Sequence, residues 1–274
     1  RSHEHHHSHY TNIIMNSRHA KNSLRLLSHY HSTASVSVTV SVSRGAEIAA
    51  VAPSRNHVDS RFAPPCFVEE AAVVFADFLD AEEGDLLLRD INRLMRRRRY
   101  EKGHWDTVIT DYKEVEIPEE TTVDNASQSV LQKTRFHLER ALALALDKGD
   151  SNMKWLPCHA IDLKKEGVLS AHVDSIKFSG DIVAGISLES SAIMRLKPEK
   201  IEHCSSSCSS TFLGGHVDLY LPPLSLYVLS GVARYNYTHE LLPSGSHFIF
   251  EGEELSVHRD RRVSVVFRDA KLQE

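Results

Sequence analysis

Arg262-Val263-Ser264-Val265-Val266-Phe267-Arg268 reads as a β-strand whose two faces differ in chemistry. Successive side chains on a strand project to opposite sides, so Val263, Val265 and Phe267 share one face while Arg262, Ser264 and Arg268 share the other. This strand closes a series. Upstream, residues 157–163, 169–173, 182–188, 192–196, 217–221, 225–229 and 234–241 are short, rich in β-branched residues and punctuated by Gly, Pro or Ser. Two helical patterns precede them. Asp80 and Glu83 form a capping-box signature ahead of Leu87, Ile91 and Leu94. Val130, Leu131, Leu138, Leu142 and Ala145 make an apolar stripe over residues 127–148, with Gly149 as a stop. Ala72-Val73-Val74-Phe75 is a further short strand. Eight strands after two helices predict a mainly β, α+β chain, a double-stranded β-helix (jelly-roll) with helices packed on one sheet.

Of the 274 residues, 41% are hydrophobic and 25% charged, which is ordinary for a globular domain. Leu, Val, Ile and Phe crowd into residues 62–271, which we assign to one domain; residues 1–61 form a non-globular leader. From Met15 to Ala46 the leader holds Arg18, Lys21, Arg25 and Arg44 among Ser, Leu and Val with no acidic residue, the composition of an organelle transit peptide. No run approaches the length of apolar residues a membrane-spanning helix needs. A net charge of −5 argues against a general electrostatic grip on nucleic acid. Cys66, Cys158, Cys204 and Cys208 lack disulfide-framework spacing, which fits a reducing interior. The polar segment 202–215 reads as a hairpin insertion, and His203, Cys204 and Cys208 lack a fourth ligand for zinc.

An inward-facing arginine is costly unless it meets an anion. Arg262 with Ser264 can cradle a carboxylate, Tyr227 can donate a third hydrogen bond, and Arg268 lies nearer the other end of the strand. Arg259, Asp260 and Arg261 are expected in solvent. The tripeptide His-Val-Asp occurs at His57, His172 and His216. The first copy falls in the leader, and the third would have to close with His247 or His258, which would leave no strand of the core between them. Only His172-Val173-Asp174 is followed, 65 residues beyond Asp174, by a strand-borne histidine, His239. Two imidazoles and a carboxylate make a facial triad that holds Fe(II) and leaves sites open for a co-substrate and O2. A cradle for a dicarboxylate beside it points to 2-oxoglutarate.

Several further runs surround these residues: Arg96-Arg97-Arg98-Arg99-Tyr100 with His104-Trp105-Asp106, the stretch from His172 to Phe178, Ala184-Gly185, Ser225-Leu226-Tyr227, and Ala233-Arg234-Tyr235 before His239-Glu240. Over about residues 68–269 the chain resembles the AlkB family of dioxygenases, most closely its mitochondrial branch. The resemblance implies that His172, Asp174 and His239 bind iron and that Tyr227, Arg262 and Arg268 contact 2-oxoglutarate. It departs at Ile161-Asp162-Leu163, where nucleic-acid-repairing members carry Asn-x-Tyr; this shifts weight to Tyr227. Where repair members build a nucleotide-recognition lid, residues 96–125 carry Glu101, Asp106, Asp111, Glu114, Glu116, Glu119, Glu120 and Asp124 against Lys102 and Lys113 after the arginines. Those carboxylates would repel a phosphate backbone, so duplex DNA is a poor substrate. The four arginines suit a solvated helix C-terminus, with a phosphate-binding patch as the alternative. What the resemblance implies is a mitochondrial matrix enzyme, expected as a monomer. It would hydroxylate or demethylate a protein and be linked to programmed necrosis after alkylation damage and to fatty-acid metabolism. Demethylation of single-stranded RNA, or a regulatory protein that senses iron and 2-oxoglutarate, are the alternatives.

Overall fold

The computed structural model describes residues 52–103, 107–117, 125–146, 153–199 and 215–271. Its strands are β1 (Val58–Asp59), β2 (Ala72–Phe75), β3 (Ile109–Ile117), β4 (Cys158–Leu169), β5 (Ser179–Glu189), β6 (Ala192–Pro198), β7 (Val217–Leu221), β8 (Leu226–Ser230), β9 (Tyr237–Leu241), β10 (Ser246–Phe250), β11 (Glu253–Val257) and β12 (Arg262–Ala270). The helices are α1 (Ala81–Met95), α2 (Asn125–Leu146) and the short α3 (Gly231–Tyr235). A six-stranded sheet in the order β2-β8-β5-β12-β4-β3 faces a four-stranded sheet in the order β1-β7-β6-β9, and β10 pairs with β11 as a hairpin.

The parity of β12 divides the interior. Val263, Val265 and Phe267 pack with Leu87 and Ile91 of α1 and Val130 and Leu138 of α2, so this face of the large sheet lies under the helices. On the opposite face Leu163, Tyr227 and Leu229 pack with Leu196, Leu219 and Leu221 of the small sheet. This is the expected jelly-roll with helices on one sheet. The capping box of α1 forms as its sequence demands: Glu83 N–H donates to Asp80 Oδ1 at 2.8 Å and Asp80 N–H to Glu83 Oε2 at 3.2 Å. Such a cap is worth about 1 kcal/mol, whereas truncating Phe267 in the sealed layer to alanine would cost about 3–5 kcal/mol.

Several expectations are corrected. Residues 158–163 and 169 belong to one strand, β4, which ends before the His-Val-Asp stretch; His172 makes only an isolated bridge to His239. The stretch 234–241 is split between α3 and β9, because Gly231, at φ +48°, starts a helical turn between β8 and β9. Residues 54–59, placed in the leader, are part of the fold: Ser54 N–H bonds to Val74 O at 2.7 Å, and β1 pairs antiparallel with β7. Strand β3 escaped notice because Asp111, Lys113, Glu114 and Glu116 break up its apolar pattern; as an edge strand it tolerates these charges. Cys66 is disulfide-bonded, contrary to the reduced state its spacing suggested. The transit-peptide segment, His104 to Asp106, and His203, Cys204 and Cys208 lie outside the described residues.

Candidate metal and co-substrate site

The middle His-Val-Asp copy is the one brought to a strand-borne histidine. His172 N–H donates to His239 O at 3.2 Å and His239 N–H to His172 O at 2.8 Å, which sets the two imidazole rings 4.2 Å apart between centroids. His239 Nε2 lies 3.8 Å from Asp174 Oδ2. Two donor atoms each about 2.1 Å from one ion can be at most about 4.2 Å apart, so this separation suits two ligands of a single metal. His172 Nδ1 lies 2.8 Å from the carbonyl of Ser170. As a donor there, it leaves Nε2 with a free lone pair, the arrangement metal-binding histidines use. Burial, aided by His172, lowers the pKa of His239 to about 3, so its imidazole is neutral at physiological pH. Burial alone would raise the pKa of Asp174, but the Arg268 guanidinium holds it below the ordinary carboxylate value. Arg268 Nη2 donates to Asp174 Oδ1 at 2.9 Å. Two imidazoles and one carboxylate therefore lie beside one another, side-chain types suited to Fe(II).

The other two copies are committed elsewhere. Asp59 is paired with Arg61 at 2.7 Å, and Asp218 accepts from Arg195 Nε and Nη2, both at 2.7 Å. Asp59 lies opposite Asp218 in the β1–β7 ladder, and His57 stacks on Tyr220. The first copy is thus part of the fold rather than of a leader, with its carboxylate on Arg61 and its imidazole stacked on Tyr220.

Arg262 supplies the strongest mark of a missing anion. It is only 4% exposed, yet its Nε and Nη2 find no acceptor among the described residues. Burial lowers its pKa against the opposing pull of Tyr227. A buried guanidinium with unsatisfied N–H groups is costly, and a carboxylate would relieve that cost. Ser264, buried on the same face of β12, is the neighbour the cradle reading requires. Tyr227 on β8 stands opposite Gly185 on β5. A Cβ on Gly185 would lie 2.5 Å from Tyr227 Cε1 and 2.6 Å from its Oη, so the ring lies across bare backbone. Burial raises the pKa of Tyr227, which keeps its hydroxyl protonated and able to donate; Arg262, Asp174 and Arg268 are the charges that act on it. Gly185→Val should push the ring aside. The expected result is roughly tenfold weaker 2-oxoglutarate binding, the cost of one lost hydrogen bond, with Mn(II) affinity unchanged when both are titrated.

The Ile161-Asp162-Leu163 departure has a structural reading. Ile161 and Leu163 take the cavity parity and pack among the apolar residues there, while Asp162, opposite Val263, takes the other. Asp162 is 1% exposed and accepts from Arg261 Nε and Nη2, both at 3.0 Å, and from the Tyr100 hydroxyl at 3.0 Å. Neither apolar side chain can donate a hydrogen bond there. The solvent assignment of Arg259 and Arg261 is corrected. Arg259 is 5% exposed and donates to Lys164 O at 2.8 Å and Gly167 O at 2.6 Å; Arg261 also reaches Asn92 Oδ1 at 2.6 Å and Glu189 Oε1 at 3.1 Å. Arg234, which the sequence marked only as part of a matching run, is buried behind Asp174.

No family model matches the chain. It is 37% identical over 205 residues to the mouse (Mus musculus) protein named alpha-ketoglutarate-dependent dioxygenase alkB homolog 7, mitochondrial, covering 73% of this chain and 79% of that protein. The bovine (Bos taurus) protein of the same name is 35% identical over 201 residues, with the same coverage. Among solved structures, a Pseudomonas putida prolyl-4-hydroxylase superposes with a TM-score of 0.50 at 15% identity, covering 73% of this chain and 93% of that one; the likeness is one of fold. With a jelly-roll core and with relatives this similar over most of their length, the chain belongs to the AlkB homologue 7 family of mitochondrial alpha-ketoglutarate-dependent dioxygenases.

Proposed function

We propose that this dioxygenase binds Fe(II) through His172, Asp174 and His239, seats 2-oxoglutarate on Tyr227, Arg262, Ser264 and Arg268, and hydroxylates or demethylates a protein. The observation that carries the site is that the buried Nε and Nη2 of Arg262 have no acceptor among the described residues. When bound, Fe(II) and 2-oxoglutarate activate O2, coupling loss of carbon dioxide from the co-substrate, which leaves as succinate, to oxidation of a substrate C–H bond. The chain's own part is positioning. Arg262 and Ser264 take the distal carboxylate, the Tyr227 hydroxyl donates beside them, and Arg268 steadies the carboxylates nearest the metal, Asp174 among them. Hydroxylation of a protein carbon would stop at the alcohol; an N-methyl group would leave as formaldehyde.

A protein substrate is favoured by charge on the cavity side of the large sheet. Glu116 of β3 lies opposite His159 of β4, which lies opposite Val266 of β12, in the row that continues through Gly185 to Tyr227. Glu114 sits two residues away on the same face and meets His159 Nδ1 at 2.6 Å. Carboxylates there oppose a phosphate backbone. RNA demethylation has one observation in its favour, the exposed run Arg96 to Arg99. Substrate-stimulated succinate release separates the two. With mitochondrial polypeptides as substrate, the Arg96–Arg99→Glu variant should match the parent, and methylated single-stranded RNA should stimulate neither. Stimulation by RNA that disappears on this charge reversal would replace the protein reading. Monomeric action on a protein partner, with consequences for necrotic death and fatty-acid metabolism, is the cellular role we propose.

A further inference from the structure

Asp174 is held from two sides. Its side chain meets Arg268, while its backbone is gripped by a residue from the turn leading into His239. Arg234 is 2% exposed and directs its guanidinium into the loop that follows the His-Val-Asp stretch. Nη1 donates to Asp174 O at 3.1 Å; Nη2 donates to Ser175 O at 3.2 Å and to Ser179 Oγ at 2.7 Å. No carboxylate among the described residues accepts from it. Asp174 and Asp269 act on its charge from nearby, but its hydrogen bonds go to neutral acceptors, and an apolar side chain would fill the space at lower cost in desolvation. Such an arginine persists where it holds something that an apolar residue could not.

What it holds is the loop 174–179. Planar guanidinium N–H groups in a fixed fork can bind several carbonyl oxygens at once, which an ammonium cannot match. The hydroxyl of Ser179 also donates to Ser175 O at 2.8 Å, closing the loop on itself. Beyond it, the Asp269 carboxylate accepts from the Asp181 and Ile182 N–H groups at 3.0 and 2.8 Å. Arg234 sits on α3, five residues before His239, and His239 is bridged by its backbone to His172. One short segment, from Arg234 to His239, therefore touches all three candidate ligands: it supplies one, pairs with the backbone of the second, and clamps the backbone of the third.

We propose that Arg234 is a positioning residue that fixes the carboxylate ligand Asp174 for the metal. The proposal rests on the metal-site reading above. It acts through backbone carbonyls, so its loss should loosen Asp174 without removing any ligand. Partners of this kind around metal ligands typically change metal affinity by roughly 10- to 100-fold when removed.

The test is Mn(II) titration of the full chain, read by the signal of the free ion and set beside the melting temperature of the metal-free protein. Arg234→Met should weaken Mn(II) binding by roughly tenfold or more. Arg234→Lys, which keeps the charge but not the fork, should recover part of that loss. Ser179→Ala, which removes one acceptor and leaves the arginine, should fall in the same direction by less. Tyr235→Phe removes the neighbouring hydroxyl's bonds to Gly180 O and Asp181 and should leave Mn(II) affinity unchanged. Should Arg234→Met fail to fold, Arg234→Lys and Ser179→Ala decide. Mn(II) affinity within twofold of the parent in both of these would overturn the proposal. A parent that binds no Mn(II), or a His172→Ala variant that binds it as well as the parent, would sink the metal-site reading instead.

Discussion

Arg262→Leu is expected to leave the ligand-free protein as stable as the parent or more so, while weakening 2-oxoglutarate binding about a hundredfold. The two effects have opposite signs because the arginine is placed for a ligand. Without one, its buried Nε and Nη2 have no acceptor, and replacing a buried charge by a well-packed apolar side chain is often neutral or stabilising by roughly 1–4 kcal/mol. With 2-oxoglutarate bound, those N–H groups would make charge-assisted hydrogen bonds worth roughly 1.5–3 kcal/mol each. Losing two such bonds accounts for a hundredfold or more. The measurement is the melting temperature with and without 2-oxoglutarate, because a ligand that binds only the folded state raises it with concentration. The parent should show that rise and the variant should not. A variant that melts several degrees lower and still responds to 2-oxoglutarate would make Arg262 a structural residue.

The parity of β12 was legible from its own seven residues because alternation is a property of any strand, and both faces lie where the pattern put them. Of the three His-Val-Asp copies the middle one is bridged to His239, though the ground for setting the first aside shifted. Sequence dismissed the first copy as leader, whereas it forms β1 and pairs with the strand of the third. Nothing local marks a two-residue strand whose register is set by a partner more than a hundred residues away. The acidic strand β3 was hidden for a different reason. An edge strand with one face in solvent can carry glutamates at positions that would be apolar in a central strand.

Arginines were the residues hardest to place. Arg259, Arg261, Arg262 and Arg268 lie within ten positions, and their environments range from buried carbonyl clamp to surface-flanked ion-pair cluster. Strand alternation separated Arg262 and Arg268 from their neighbours, but Arg259 and Arg261 precede the strand, and a loop has no fixed periodicity. Arg234 was missed for the same reason: the residues it grips, Asp174, Ser175 and Ser179, are at least 55 positions away in sequence. Its only local signal was a charged residue between Ala233 and Tyr235 on a short turn after a buried strand. Tyr227 could be singled out by residue type, while the reason it has room to reach β12, the bare Gly185 backbone across from it, needed the register of β5 against β8.

His172→Ala carries the second large effect. The backbone bridge to His239 does not need the imidazole, and the ring is half-buried at the end of a loop, so the fold should survive its removal. What disappears is one of three ligands and, with it, the ion on which turnover depends; metal sites are poorly served by two protein donors. Iron-dependent succinate release should then fall to background even without a protein substrate, since co-substrate turnover needs only the site itself. A regulatory protein that binds iron and 2-oxoglutarate without turning over would release no succinate in either form. The decisive measurement is succinate formed by the purified parent with Fe(II), 2-oxoglutarate and O2, set against the His172→Ala variant. Release by the parent that is lost in the variant is the predicted result, and equal release from both, or none from the parent, would contradict it.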